Sequence, residues 1–299
     1  MNILVPFDFT DYAEQAVTTA LQLAKKEKAT LHLLTAINVP LDWAYSTMGA
    51  AAGSGMPSDA FMVQMPDIES NKEKISEKLN DFAQKLNREG VSIVTETTIG
   101  FPWEQITNYA KDQNIDLIVM GSHGASGLNE LFIGSNAEKV VRFAECPVLT
   151  LHDEVKDLAF KNLVFASSFY GETAKSFPKV LKFAKMFGAH IHLLKVISSS
   201  SFETTRYSTK LIKDFIKPFD FDNYSIHIYN ETSVEKGVLN FAEDIDADII
   251  AMETHGRKGL AHLFIGSIAE DITNHAKRPV LTVKIEEVPT KYGVIFPGS

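Results

Sequence analysis

The chain repeats itself, and that constrains its fold more than any other feature. Residues 2–38 set against 162–198 give ten identities in 37 positions without a gap. Residues 115–151 set against 247–283 give nineteen in 37, with SHGASGLNELFIGSNAE facing THGRKGLAHLFIGSIAE. The two offsets, 160 and 132, differ by 28, so the first copy carries about 28 extra residues between the matching blocks. Fixed internal offsets are the signature of duplicated folding units. The expected division is a first unit over 1–152 with an insertion at about 40–71, a second over 160–285, and a tail over 286–299. At 299 residues, two ordinary domains fit.

Within each copy, apolar runs alternate with amphipathic stretches. NILVPF (2–7), TLHLLTAI (30–37), VSIVTETTI (91–99), IDLIVM (115–120) and PVLTL (147–151) read as strands. Helical spacing is predicted over 10–27, 71–89, 102–113 and 135–145. Strands joined through helices must be parallel with right-handed crossovers. The predicted class is therefore α/β: two tandem doubly wound domains, each a five-stranded parallel sheet flanked by helices.

Charge and cysteine content narrow the function. A net charge of −9 argues against recognition of a nucleic-acid backbone, which needs clustered Lys and Arg. No apolar run approaches the roughly 18–20 residues of a membrane helix. The opening MNILVPFDFTD, acidic at Asp8 and Asp11, is not expected to act as a signal peptide. A single cysteine, Cys146, fits a reducing cytoplasm and sits in an apolar run as a small hydrophobe. No C-x-x-C or HExxH spacing suggests a metal, and no G-x4-GK[ST] suggests a P-loop.

In a doubly wound sheet, ligands bind at the carboxyl ends of the strands where strand order reverses. Asp8, Ala36 and Gly121 are each expected at such an end. Gly121, Gly124, Gly134 and Ser135 form the pattern G-x2-G-x9-G-S, in which glycine allows positive φ and close approach of a ligand oxygen. Ser135 and Glu138 read as a capping box opening a helix, whose first amides would form an anion site. The same spacing also suits a plain turn and cap, and Ser267 with Glu270 repeats the box in the second copy.

The motifs VPFDFT (5–10), MGSHG (120–124), IGSNAEKV (133–140) and CPVLTL (146–151) together resemble the universal stress protein family in its tandem form. The resemblance implies an adenine-nucleotide site in the first copy, holding ATP with or without Mg2+. Asp8 would accept hydrogen bonds from ribose or adenine, and Pro6, Phe7, Ala36 and Met120 would flank the adenosine. Gly121, Ser122, Gly124, Gly134, Ser135 and Asn136 would hold ribose and phosphates, with His123 in the same loop. His123 and His255 occupy matching loop positions and read as structural; His32 and His192, on strands, read as packing residues.

The second copy departs from this pattern: Ser168 stands for Asp8 and Glu253 for Gly121. A carboxylate beside a phosphate would cost ~1 kcal/mol in water and ~4 kcal/mol at an effective dielectric of 20. ATP is therefore expected in the first copy and not the second. Residues 40–71, with Trp43, Tyr45 and Met48, Met56, Met62 and Met65, are either a loop or a lid over nucleotide. CPVLTL and RPVLTV (278–283) are expected edge strands that pair the two copies with each other, a further homodimer staying open. With no paired general acid and base beside the glycine motif, a nucleotide-responsive sensor or regulator in the stress response is expected rather than a fast enzyme. The alternatives are a nucleotide-free scaffold, a small-molecule binder, or a slow ATPase.

Overall fold

A computed structural model describes residues 1–38, 68–86, 90–122, 134–152, 155, 158–171, 173–254 and 265–285. The first half runs β1 (Asn2–Pro6), α1 (Asp11–Glu27), β2 (Thr30–Ile37), α2 (Ile68–Leu86), β3 (Ser92–Ile99), α3 (Pro102–Asp112), β4 (Leu117–Gly121), α4 (Ser135–Phe143) and β5 (Val148–Leu151). The second runs β6 (Asn162–Ala166), α5 (Thr173–Phe187), β7 (His190–Ile197), α6 (Thr205–Ile216), β8 (Tyr224–Asn230), α7 (Val234–Asp244), β9 (Ile249–Thr254), α8 (Ile265–His275) and β10 (Val280–Lys284). The helix predicted over 71–89 is α2, shifted three residues toward the amino end. Most of the insertion, and with it the lid, lies outside the described residues, as do Trp43, Tyr45, the four methionines and the tail.

The strands form a ten-stranded sheet in the order β3-β2-β1-β4-β5-β10-β9-β6-β7-β8. Pairing is parallel within each half, as crossover helices require. At the centre β5 meets β10 antiparallel, with Val280 opposite Thr150 and Thr282 opposite Val148. Each half thus winds in both directions from β1 or β6, and strand order reverses between β1 and β4 and between β6 and β9.

Period-two alternation sorts the apolar residues onto two faces. Ile3, Val5, Leu31, Leu33, Leu117 and Val119 face α1 and α2, while Leu4, Leu34, Ile118 and Met120 face α3 and α4. The first cluster continues through Leu149 and Leu281 into Phe165, Phe177 and Leu193, so one apolar layer spans both halves. Each fully buried Leu or Ile contributes about 1.5–3 kcal/mol, which makes this layer the main source of cohesion. Thr10 caps α1 by accepting the amide of Ala13 at 3.3 Å.

Candidate functional site at the carboxyl ends of β1, β2 and β4

The reversal of strand order gathers the expected residues at one edge of the first half. Pro6 ends β1, Ala36 lies near the end of β2, and Met120 and Gly121 end β4, with β1 between the other two strands. The Phe7 amide donates to Leu34 O at 2.8 Å, and Thr35 Oγ1 donates to Phe7 O at 2.8 Å. These two bonds fix where the chain leaves β1. Thr35 belongs to no motif that would have singled it out.

Asp8 follows on the exposed surface. Its Oδ1 accepts the Thr10 amide at 3.2 Å and the Thr10 hydroxyl at 2.6 Å, closing a turn around Phe9, whose φ is 63°. The carboxylate is therefore held in place just beyond the end of β1.

The tip of α4 is tied to the end of β4. The Gly134 amide donates to Ser122 O at 2.7 Å, and the Ser122 amide donates to Leu151 O at 2.8 Å. The two ends of the glycine-rich segment are thereby joined; His123, Gly124 and the rest of 123–133 lie outside the described residues. Ser122 is fully buried, whereas Ser135 and Asn136 are exposed on the first turn of the helix.

Four expectations need correction. The capping box is not formed. Gly134 is the N-cap of α4, its carbonyl accepting the Glu138 amide at 3.0 Å, and no side chain caps the helix. Ser135 is already helical, so its hydroxyl stands at the surface instead of folding back. In the second half α8 begins at Ile265, which places Ser267 inside the helix.

Gly121 and Gly134 do not use left-handed backbone. Gly134 has φ −60°, and Gly121 is not among the positive-φ residues. What Gly121 supplies is room: a Cβ there would stand 3.0 Å from Tyr12 Cβ and 3.1 Å from Tyr12 O, in the first turn of α1.

Phe7 does not offer its ring to the crevice. The ring is 2% exposed, stacks on Phe82 at 4.5 Å and meets Phe9 edge-on at 4.9 Å, on the α1–α2 face. Met120 points to the α3–α4 face and is buried among apolar neighbours.

Glu253 is the fourth. Strand alternation turns its side chain away from the Met252 face and under α5, where it is 5% exposed. Its carboxyl group lies within hydrogen-bond reach of Ser167 Oγ, at 2.9 Å, and of Ser176 Oγ. The expected clash of this charge with phosphate therefore has no geometric basis. Ser168 keeps part of the role of Asp8, its Oγ accepting the Tyr170 amide at 3.3 Å around Phe169, whose φ is 61°.

Among the described residues, His32, His192 and Cys146 lie away from the carboxyl ends of β1, β2 and β4. His32 Nδ1 lies 2.9 Å from Tyr109 Oη, and burial holds its pKa below the usual value. His192 Nδ1 lies 3.2 Å from His227 Nε2; burial and the two neighbouring histidines bring it down to about 4. Burial pushes the Cys146 thiol up to about 12, which leaves it un-ionised. Among the described residues no group of His, Cys, Asp and Glu has the arrangement of a metal site, and no helix is long and apolar enough to cross a membrane.

Comparison with known proteins agrees with this architecture. The model of the universal stress protein family matches residues 1–152 and 225–284, more than half of the chain. Universal stress protein Slr1230 of Synechocystis is 22% identical over 297 residues, covering 95% of this chain and 99% of its own. Universal stress protein YxiE of Bacillus subtilis is 33% identical over 148 residues, covering 50% of this chain and 96% of its own. In structure, a universal stress protein from Archaeoglobus fulgidus superposes with a TM-score of 0.71 at 20% identity, covering 95% of this chain and 98% of that one.

Proposed function

Because this chain belongs to the universal stress protein family, we propose that its first half binds ATP, with or without Mg2+, and acts as a nucleotide-responsive regulator of the stress response. The observation that carries this reading is the Gly134–Ser122 hydrogen bond, which sets the exposed first turn of α4 against the end of β4. A helix amino end with no side-chain cap is an anion site, where exposed backbone N–H groups and the helix dipole favour a phosphate. Asp8, held by Thr10, supplies an acceptor for ribose or adenine hydrogens at the same edge.

In this reading the main chain of Phe7 and Gly121, together with Pro6, Ala36 and Met120, borders the adenosine. Ser122, His123, Gly124, Gly134, Ser135 and Asn136 surround ribose and phosphates. The nucleotide-bearing unit is residues 1–152 and the second, 160–285, carries none, since Ser168 offers no carboxylate acceptor where Asp8 does. The two units pair as a pseudo-dimer along β5 and β10. The place of action is the cytoplasm. No general acid–base pair accompanies the helix tip among the described residues, so binding rather than turnover is the output.

Equilibrium dialysis of purified protein against ATP tests the proposal. One nucleotide per chain, weakened by Asp8→Ala, is the expected result. Two per chain would reject the asymmetry between the halves, and none would reject the site.

A further inference from the structure

The surroundings of Glu253 differ from those of Gly121 by a matched set of exchanges. Across the repeat, Phe7, Ala13 and Ala16 become Ser167, Thr173 and Ser176, and Gly121 becomes Glu253. In the first half the three are buried apolar side chains on the α1 face, at 2%, 6% and 0% exposure. In the second, hydroxyl groups occupy those positions around one carboxyl group. The apolar volume of Phe7 is given up, and Phe169, at 4% exposure, turns inward onto Phe165 and Phe215.

Among the described residues, every group facing this carboxyl is neutral. Just past β6 it meets Ser167, from α5 Ser176 and Thr173, and beside it in the sheet its register partner on β10 is Val283, which is fully buried. No Lys, Arg or His pairs with it among the described residues. An ionised carboxylate buried without a cation is strongly disfavoured, and the group keeps its proton instead.

The hydrogen count agrees. Ser176 Oγ has one hydrogen and two oxygens in range, Thr173 O at 2.9 Å and the Glu253 carboxyl. Both contacts are satisfied when Glu253 donates to Ser176 and Ser176 donates to Thr173 O. Ser167 then donates to the other carboxyl oxygen while accepting the Phe169 amide at 3.0 Å. A single proton on Glu253 thereby satisfies both contacts of Ser176.

We infer that Glu253 is a proton-binding site, a neutral acid that pins the first turns of α5 and the end of β6 to the end of β9 and lets go of them when it ionises. Burial accordingly raises its pKa above the usual carboxylate value. Since the folded value lies above the unfolded one, the stability it supplies is present at low pH and is lost as pH rises through the folded value. None of this depends on nucleotide binding in the first half.

The full-length protein and Glu253→Gln test the inference. Gln reproduces the neutral acid, its NH2 donating to Ser176 and its carbonyl accepting from Ser167. Unfolding in unbuffered denaturant at about pH 7 should release one proton more from the wild type than from Glu253→Gln, because the acid ionises once exposed. The variant should match or exceed the wild-type midpoint, by a margin that grows from about pH 6 to about pH 9. Equal proton release, with the variant less stable throughout, would show the carboxylate to be ionised in the fold and overturn the inference. Should the variant fail to fold, infrared spectra of folded wild type labelled with 13C-glutamate decide: a protonated carboxyl band at neutral pH supports it, and no such band overturns it.

Discussion

Gly134 donates its amide to the carbonyl of Ser122 at 2.7 Å, so the end of β4 and the start of α4 are tied together across the glycine-rich segment. Gly134 itself has φ −60° and ψ 142°, a conformation open to any residue. Its lack of a side chain is thus not demanded by the backbone. Gly134→Ala should cost no more than about 1 kcal/mol of stability as a poorer N-cap. ATP affinity should nonetheless fall at least about tenfold, or about 1.4 kcal/mol, if phosphate comes up against the bare Cα. Calorimetric titration beside urea unfolding separates the two effects.

Gly121 is a different kind of glycine. An added methyl would press on Tyr12 Cβ at 3.0 Å and on its backbone O and C at 3.1 and 3.3 Å, contacts that cannot give without moving α1. Gly121→Ala should destabilise the chain by about 1–3 kcal/mol with or without nucleotide, as overpacking does. Urea midpoints measured in both conditions check it.

Asp8 has a structural and a binding share. Asp8→Asn keeps an oxygen for the Thr10 amide and hydroxyl, so the turn around Phe9 survives. Asp8→Ala removes it, at about 0.5–1.5 kcal/mol for a hydrogen bond of ordinary strength. Both variants should lose ATP affinity, and only the second should also lower the melting temperature.

A pH effect should come from the histidines of β7 and β8. His192 titrates near 4 in the fold because burial and the neighbouring His190 and His227 disfavour its charge. Its folded value lies below the ordinary one, so its contribution is present above about pH 6.5 and fades as pH falls toward 4. His192→Phe should flatten the decline of stability across that window. Titration of the ring resonances by NMR locates the group directly.

The fold was legible because it rests on regular periods. Alternation in NILVPF and TLHLLTAI and the repeat offsets specify the strands and their number, and parallel pairing follows from the intervening helices. What depends on the direction of a single side chain was not legible. Glu253 read as a phosphate-repelling group because the motif alignment sets it at Gly121, yet strand alternation sends it to the opposite face from Met252. The hydroxyls awaiting it, at Ser167, Thr173 and Ser176, stand in the sequence at positions given by the other repeat offset, and only the packing of α5 on the sheet brings the two sets together. Ser135 likewise looked like a cap because S-x-x-E fits the pattern, but Gly134 already accepts the Glu138 amide.

The central claim is that the crevice at the ends of β1, β2 and β4 holds an adenine nucleotide. Thermal melting with ATP, AMP or GTP over a range of concentrations tests it most directly. A ligand at 100 times its dissociation constant stabilises the folded state by ~2.7 kcal/mol, a shift of several degrees. ATP should raise the midpoint in proportion to the logarithm of its concentration, and Asp8→Ala should suppress the rise. An unchanged midpoint at millimolar ATP, in protein purified free of nucleotide, would contradict the claim.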